Sequence, residues 1–187
     1  MTTLLALDIR TVILLLFFGN LIAVGVFTAY RRDNFAERPY RLFLAGKLLQ
    51  AFAWALLALR GAISDLLSID IGNAMLFTGF ALETLAFAAA TERASRRLVA
   101  AVALLTLLGC VIFWILGSTG STRVAIASMV SAALLGTMVG FLLRIPDTSH
   151  LQMRIAGFYA LFCVFLVGRT GAALFSPAVL LDDDRDI

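Results

Sequence analysis

The chain alternates between long apolar runs and short polar segments. Each run is close to the ~20 residues that a helix needs to cross a hydrocarbon core of ~30 Å. The runs are continuous rather than alternating with a period of two, which favours helices over the strands of a barrel. We therefore predict an all-α polytopic transmembrane bundle with six spans, over residues 11–30, 42–61, 71–91, 98–116, 123–143 and 155–175.

The third run is the one around which we expect the others to pack. It carries one carboxylate, Glu83, well inside an otherwise apolar stretch. At helical spacing, Gly72, Gly79 and Glu83 fall on one stripe that continues through Leu76 and Ala86. Small residues let helices approach closely, and a carboxylate within a membrane needs a partner. The stripe is therefore predicted to face protein rather than lipid.

A lysine in the second run has the right depth to be that partner. Lys47 lies six residues past Arg41, roughly 9 Å into its helix, and Glu83 lies eight residues before Thr91, roughly 12 Å from the same membrane face. Consecutive antiparallel helices are usually neighbours. A Lys47–Glu83 ion pair is one interpretation. The other is that the lysine extends to the interface and Glu83 is protonated.

Further polar residues lie inside the runs and complete the candidate ligand site. Arg169, roughly 9 Å from the end of the sixth run, either reaches out to the interface or binds an anion or one of Asp8, Asp65 and Asp70. The candidate intramembrane site consists of Glu83, Lys47, Gln50, Asn20, Asn73 and Arg169.

The fifth run has small residues at a strict four-residue spacing: Ser128, Ala132, Gly136 and Gly140. This pattern includes a GxxxG motif, which is typical of close helix–helix contacts in membranes. We expect such a contact here. The pattern leaves open whether it forms within the chain or between two copies in a homodimer.

Composition supports a membrane protein and excludes several kinds of chemistry. The chain is 61% hydrophobic and 14% charged, with a mean hydropathy of +0.98, too little charge to cover a soluble domain of 187 residues. The single histidine, His150, lies in a polar loop, and no His, Cys, Asp or Glu cluster has the spacing of metal ligands, so neither haem nor a metal is expected. Retinal is disfavoured because the only lysine is in the second run rather than the last. We predict no cofactor.

The arginines predict the orientation of the helices. The loops after the first, third and fifth runs carry nine arginines and the opposite side carries four. The positive-inside rule then places both termini outside, including the acidic tail over residues 178–187. We interpret the basic loops as charge that flanks the lipid bilayer, not as a nucleic-acid site.

Four stretches resemble the membrane input region of bacterial GGDEF diguanylate cyclases and sensor histidine kinases: LDIRT, RLFLAGKLLQAFAWALLALRG, DLLSIDIGNAMLFTGFALETLAF and MRIAGFYALFCVFLVGRTGAALF. The resemblance implies an inner-membrane sensor that signals to a cytoplasmic output domain, and no catalytic residue of such a domain lies in this chain. Since six spans return the chain to the outside, it also implies a receptor cut before its last helix. A stand-alone six-helix protein is the alternative.

The residues themselves leave three functions open. The first is a sensory or regulatory domain. The second is a small transporter or channel in which Glu83 is the group linked to an ion or proton, although the chain lacks the paired Gly or Pro interruptions of discontinuous helices. The third is a structural partner subunit.

Overall fold

Six long helices and a short π-helical segment make up the part of the chain that the structure describes. The structure, a computed structural model, describes residues 9–30, 37–92, 94–144 and 150–175. The helices are α1 (Ile9–Tyr30), α2 (Arg38–Ala58), α3 (Gly72–Ala90), α4 (Arg96–Leu116), α5 (Gly120–Leu142) and α6 (His150–Phe175). All six are long and apolar enough to cross a membrane, and no strand occurs in the described ranges. The predicted all-α bundle of six spans is confirmed, whereas the acidic tail lies outside the described residues.

Local sequence signals set the starts of three helices. Pro39 occupies the first turn of α2, where its missing N–H removes no helical hydrogen bond. The Ser95 side chain caps α4 by accepting from the N–H of Leu98 at 3.1 Å. Thr119 and Thr122 form a reciprocal capping box at the start of α5.

The third span begins earlier than its apolar pattern predicts. Residues 62–70 were expected to form a polar connection, but Leu66–Ile71 form a π-helical segment that continues directly into α3. Ser68 and Ile69 within it are buried. The expectation is wrong because Ser68 and Ile69 are buried in the bundle, whereas Leu66, Leu67 and Ile71 remain exposed.

Helix α3 is the centre of the bundle, as predicted. It packs against α2, α4 and α5, and the π-helical segment packs against both α2 and α3. Its small and polar stripe is buried at Gly72, Leu76, Gly79, Glu83 and Ala86. The stripe therefore faces protein, as expected. Phe77 and Phe80, off the stripe, are buried as well because neighbours surround the helix.

Two antiparallel hairpins supply most of the packing. One consists of α2 and α3, and the other of α5 and α6; α1 packs on α2, and α4 packs on both α3 and α5. The hairpins meet where α3 lies against α5, and there the Thr84 hydroxyl is 3.3 Å from the Leu134 carbonyl. Leu134, Leu135 and Met138 of α5 are completely buried.

The small-residue pattern of α5 marks a close contact along only part of its length. Ser128 and Ala132 are buried. Around Gly136 and Gly140, a Cβ atom would meet nothing within 4 Å in the described chain. Of the two alternatives, a contact within the chain is not provided by the described helices at these two glycines. Their spacing creates a small-residue face, but no described helix lies against it.

Candidate functional site

Glu83 is the centre of a buried polar cluster. Its side chain is completely shielded from solvent. The Lys47 ammonium lies 2.8 Å from its Oε1, and the Gln50 amide donates a hydrogen bond of 2.8 Å to its Oε2. The Tyr159 hydroxyl donates to Oε1. Both carboxylate oxygens are thereby satisfied by side chains from α2 and α6.

Lys47 is held in place by more than its counter-charge. Its ammonium also donates to Gln50 Oε1 at 3.4 Å and lies 5.6 Å from the centroid of the Phe43 ring. Its side chain is only 15% exposed. The predicted Lys47–Glu83 contact is confirmed, and the alternative in which the lysine extends to the membrane interface is not the arrangement in the structure.

A close crossing of α2 and α3 makes this contact possible. A Cβ atom on Gly79 would lie 2.9 Å from the Gly46 carbonyl oxygen and 2.7 Å from Gln50 Cγ. A Cβ on Gly46 would lie 2.9 Å from the Gly79 carbonyl oxygen and 3.2 Å from the backbone nitrogen of Glu83. Only glycines allow the backbones to approach so closely, and this proximity brings the α2 side chains to Glu83. Gly79 was a predicted packing residue, whereas the role of Gly46 was not foreseen.

Lys47, Glu83 and Tyr159 lie at similar depths in their helices. Lys47 lies nine residues after the start of α2, and Tyr159 lies nine residues after the start of α6, roughly 14 Å along each helix. Glu83 lies seven residues before the end of α3, roughly 11 Å from it. The cluster therefore lies inside the spans, nearer to the ends where α2 and α6 begin and α3 ends than to the opposite ends.

Tyr159 is the functional candidate that sequence reasoning missed. A tyrosine within an apolar run is a signal, since a buried phenol usually finds a hydrogen-bond partner. The depth argument used for Lys47 also applies to Tyr159. What the sequence does not indicate is that α6 approaches α3, because the two helices are not consecutive.

Aromatic rings border the cluster on the side where α2 begins and α3 ends. Phe43 precedes Lys47 by one turn, Phe87 follows Glu83 by one turn, and their ring centroids are 6.4 Å apart. Phe87 also contacts the Tyr159 ring at 6.1 Å, and Phe43 contacts Phe27 of α1 at 4.6 Å. These rings connect the polar cluster to the helices α1, α2, α3 and α6. They cover it on the side where α2 begins and α3 ends.

The other predicted site residues do not join the cluster. Asn20 and Asn73 bond within their own helices, to Leu16 O at 2.8 Å and to Ile69 O at 2.7 Å. Arg169 is exposed on α6, and in the described part of the chain no carboxylate lies within ion-pair distance of it. Asp8, one of its proposed partners, lies outside the described residues. Of the six candidates, Glu83, Lys47 and Gln50 come together.

The cluster joins two opposite charges, of which the Glu83 carboxylate is completely buried and the Lys47 side chain is 15% exposed. Glu83 and Lys47 form a pair of opposite charges, and two neutral donors complete the carboxylate shell. If Glu83 took up a proton, Lys47 would lose its counter-charge and both neutral donors would face a weaker acceptor. Among the described residues, no group of His, Cys, Asp and Glu side chains could hold a metal ion.

No family model, curated protein or solved structure matches this chain. The cluster is therefore interpreted on its own geometry.

Proposed function

We propose that this chain is a membrane-embedded input domain that signals through rearrangement of the Glu83 cluster. The observation that carries the proposal is that one carboxylate connects α2, α3 and α6, which belong to two different hairpins. A change at the Glu83 carboxylate therefore acts on both hairpins at once. Hydrogen bonds between side chains of different helices are among the interactions that hold membrane helices together, beside close packing.

The mechanism requires two bundle arrangements that an effector binds unequally. In the first, the ionised Glu83 holds Lys47, Gln50 and the Tyr159 hydroxyl together. In the second, the Tyr159 contact is broken and α6 shifts relative to the α2–α3 hairpin. Because Phe87 and Tyr159 contact each other, the shift also reaches the ends of α3 and α6 at the arginine-rich loops.

The remaining parts of the proposal concern placement and partners. Both termini lie outside the bacterial inner membrane, because the basic loops favour the cytoplasm. The output partner is a cytoplasmic module of the GGDEF or histidine kinase type, as the resemblance of the four quoted stretches implies. A homodimer is also proposed, since the Gly136 face of α5 is open.

Distances between spin labels test the proposal. The labels are placed at Arg41→Cys and Arg154→Cys, on exposed positions near the same ends of α2 and α6, in a background without native cysteines. We expect Tyr159→Phe to change the distance distribution, because the hydroxyl contact between the hairpins is lost. Thr137→Val is the matched control: its hydroxyl bonds only within α5, to Ala133 O at 2.8 Å. Identical distributions for wild type and Tyr159→Phe would refute the switch.

A transporter is the second candidate, and the Lys47–Glu83 pair is the observation that favours it. A carboxylate and an ammonium 2.8 Å apart inside membrane-spanning helices could pass a proton or exchange one for a cation. Proteoliposomes with an imposed proton or cation gradient test this function. Flux that is lost in Glu83→Gln would support transport, and no flux above that of empty liposomes would exclude it under those gradients.

A further inference from the structure

A second site candidate lies away from the Glu83 cluster, between α3 and α4. It is a groove of about 210 Å³ at the π-helical end of α3. Its walls are almost entirely apolar and come from both helices: Ile71, Ala74, Phe77, Cys110 and Phe113. The Phe77 and Phe113 rings meet edge to face, with centroids 6.0 Å apart, and are buried, so they form the floor.

The groove has its polar groups at one end. Asp70 lies four residues after the start of the third span, and Trp114 lies two residues before the end of α4, so both are near the same membrane face. Phe77 and Cys110 lie further along their helices towards the membrane interior. The order of polarity along the groove therefore matches that of a lipid molecule, with the head at the interface and the chain below it.

Asp70 indicates the charge of the head group that a ligand of this groove would carry. Its side chain is half-buried and lines the groove, and it makes no hydrogen bond or ion pair with any residue of the described ranges. A carboxylate at the edge of an apolar membrane groove is stabilised by a cation and repels an anion. The groove also opens towards lipid, since Trp114 is 72% exposed on an apolar helix.

We propose that this groove binds an amphiphile with a cationic nitrogen head group. The nitrogen pairs with Asp70, the indole of Trp114 covers the head at the interface, and the chain lies on the Phe77–Phe113 floor. The amphiphile is a free long-chain amine, because the phosphate of a phosphatidylethanolamine would add a negative charge beside Asp70. The site stands independently of the proposed signalling function, although Phe77 lies on the helix that also carries Glu83.

Alkylation of Cys110 tests the proposal, because this thiol lines the groove. The Cys163→Ala protein is placed in phosphatidylglycerol nanodiscs, and its reaction rate with N-ethylmaleimide is measured. We expect dodecylammonium to slow the reaction several-fold. Dodecanoate, with the same chain and the opposite charge, should not, and neither should phosphatidylethanolamine mixed into the disc, whose phosphate would lie beside Asp70.

Three matched variants separate binding in the groove from general partition into the membrane. Asp70→Asn should raise the concentration for half protection about tenfold, the effect of losing one charge-assisted contact. Asp65→Asn removes an exposed carboxylate nearby that does not line the groove, and should leave protection unchanged. In Cys110→Ala the remaining thiol, Cys163, should not be protected. Protection that is equal for dodecylammonium and dodecanoate, that survives Asp70→Asn, or that phosphatidylethanolamine also gives overturns the proposal, and so does the absence of protection by dodecylammonium.

Discussion

Breaking the Lys47–Glu83 pair one partner at a time measures how strongly the cluster holds the bundle together. Removing one member of a buried ion pair typically costs about 3–5 kcal/mol, since the other charge is left buried. Lys47→Met leaves Glu83, which has no exposure at all, with only the neutral donors of Gln50 and Tyr159. We therefore expect a loss of unfolding free energy within this range for Lys47→Met.

The reverse substitution should cost less. Glu83→Gln keeps an oxygen and an NH2 group at the same place, so hydrogen bonds to Gln50 and Tyr159 can still form. The unpaired ammonium of Lys47 is 15% exposed and sits on a flexible stem, so it can move towards water. We expect a loss of about 1–3 kcal/mol, the usual cost of leaving a buried hydrogen-bonding group unsatisfied.

The double variant decides whether the two residues act as a pair. The double variant, Lys47→Met with Glu83→Gln, contains no unpaired charge. Its loss of unfolding free energy should therefore be smaller than the sum of the two single losses, by roughly 1–3 kcal/mol. Reversible unfolding in bicelles by titration with a denaturing detergent gives all four free energies, and Thr137→Val serves as a control for loss of a single hydroxyl. The coupling would be refuted if the loss of the double variant equals the sum of the two single losses to within about 0.5 kcal/mol.

Three further predictions follow from the packing and the arginine distribution. Gly79→Ala should destabilise the bundle by about 1–3 kcal/mol in the same unfolding assay, because the new methyl group would overlap the Gly46 carbonyl. Gly136→Leu should leave that free energy almost unchanged, since its Cβ meets open space, but should weaken self-association in a cross-linking assay if the chain dimerises through this face. A membrane-impermeant thiol reagent should label Ser118→Cys and not Ala94→Cys in intact cells, and the opposite pattern would invert the topology.

Contacts between consecutive helices could be predicted from the sequence, because rise per residue fixes depth and short loops make neighbours. That argument placed Lys47 beside Glu83. Gln50 follows one turn after Lys47, so the same face of α2 carries both, and the candidate set included it without assigning its partner. The contact of Tyr159 could not be predicted this way, because α6 reaches α3 through an arrangement of two hairpins that local spacing does not specify.

Spacing also describes a helix face without describing what lies against it. Gly46 and Gly136 are both small residues in apolar helices, yet only Gly46 meets another backbone. The difference depends on which helix is opposite, a tertiary property. The π-helical segment was missed for a related reason: Ser68 and Asp70 resemble loop residues until Ser68 is seen to be buried. Expectations about helix existence and about the contact between the consecutive helices α2 and α3 therefore succeeded, whereas spacing alone did not show what lies against the Gly136 face.

The energetics of the cluster support a role beyond stability. A buried ion pair is often no more stabilising than apolar residues of the same volume, and its best-attested use is to select one arrangement over others. The α2–α3 hairpin does not need it for this purpose, since the Gly46–Gly79 crossing already fixes how the two helices meet. What the glycines do not fix is the position of α6, which Tyr159 connects to Glu83. The cluster therefore connects the two hairpins, and the relation between them is what the proposed input function requires to change.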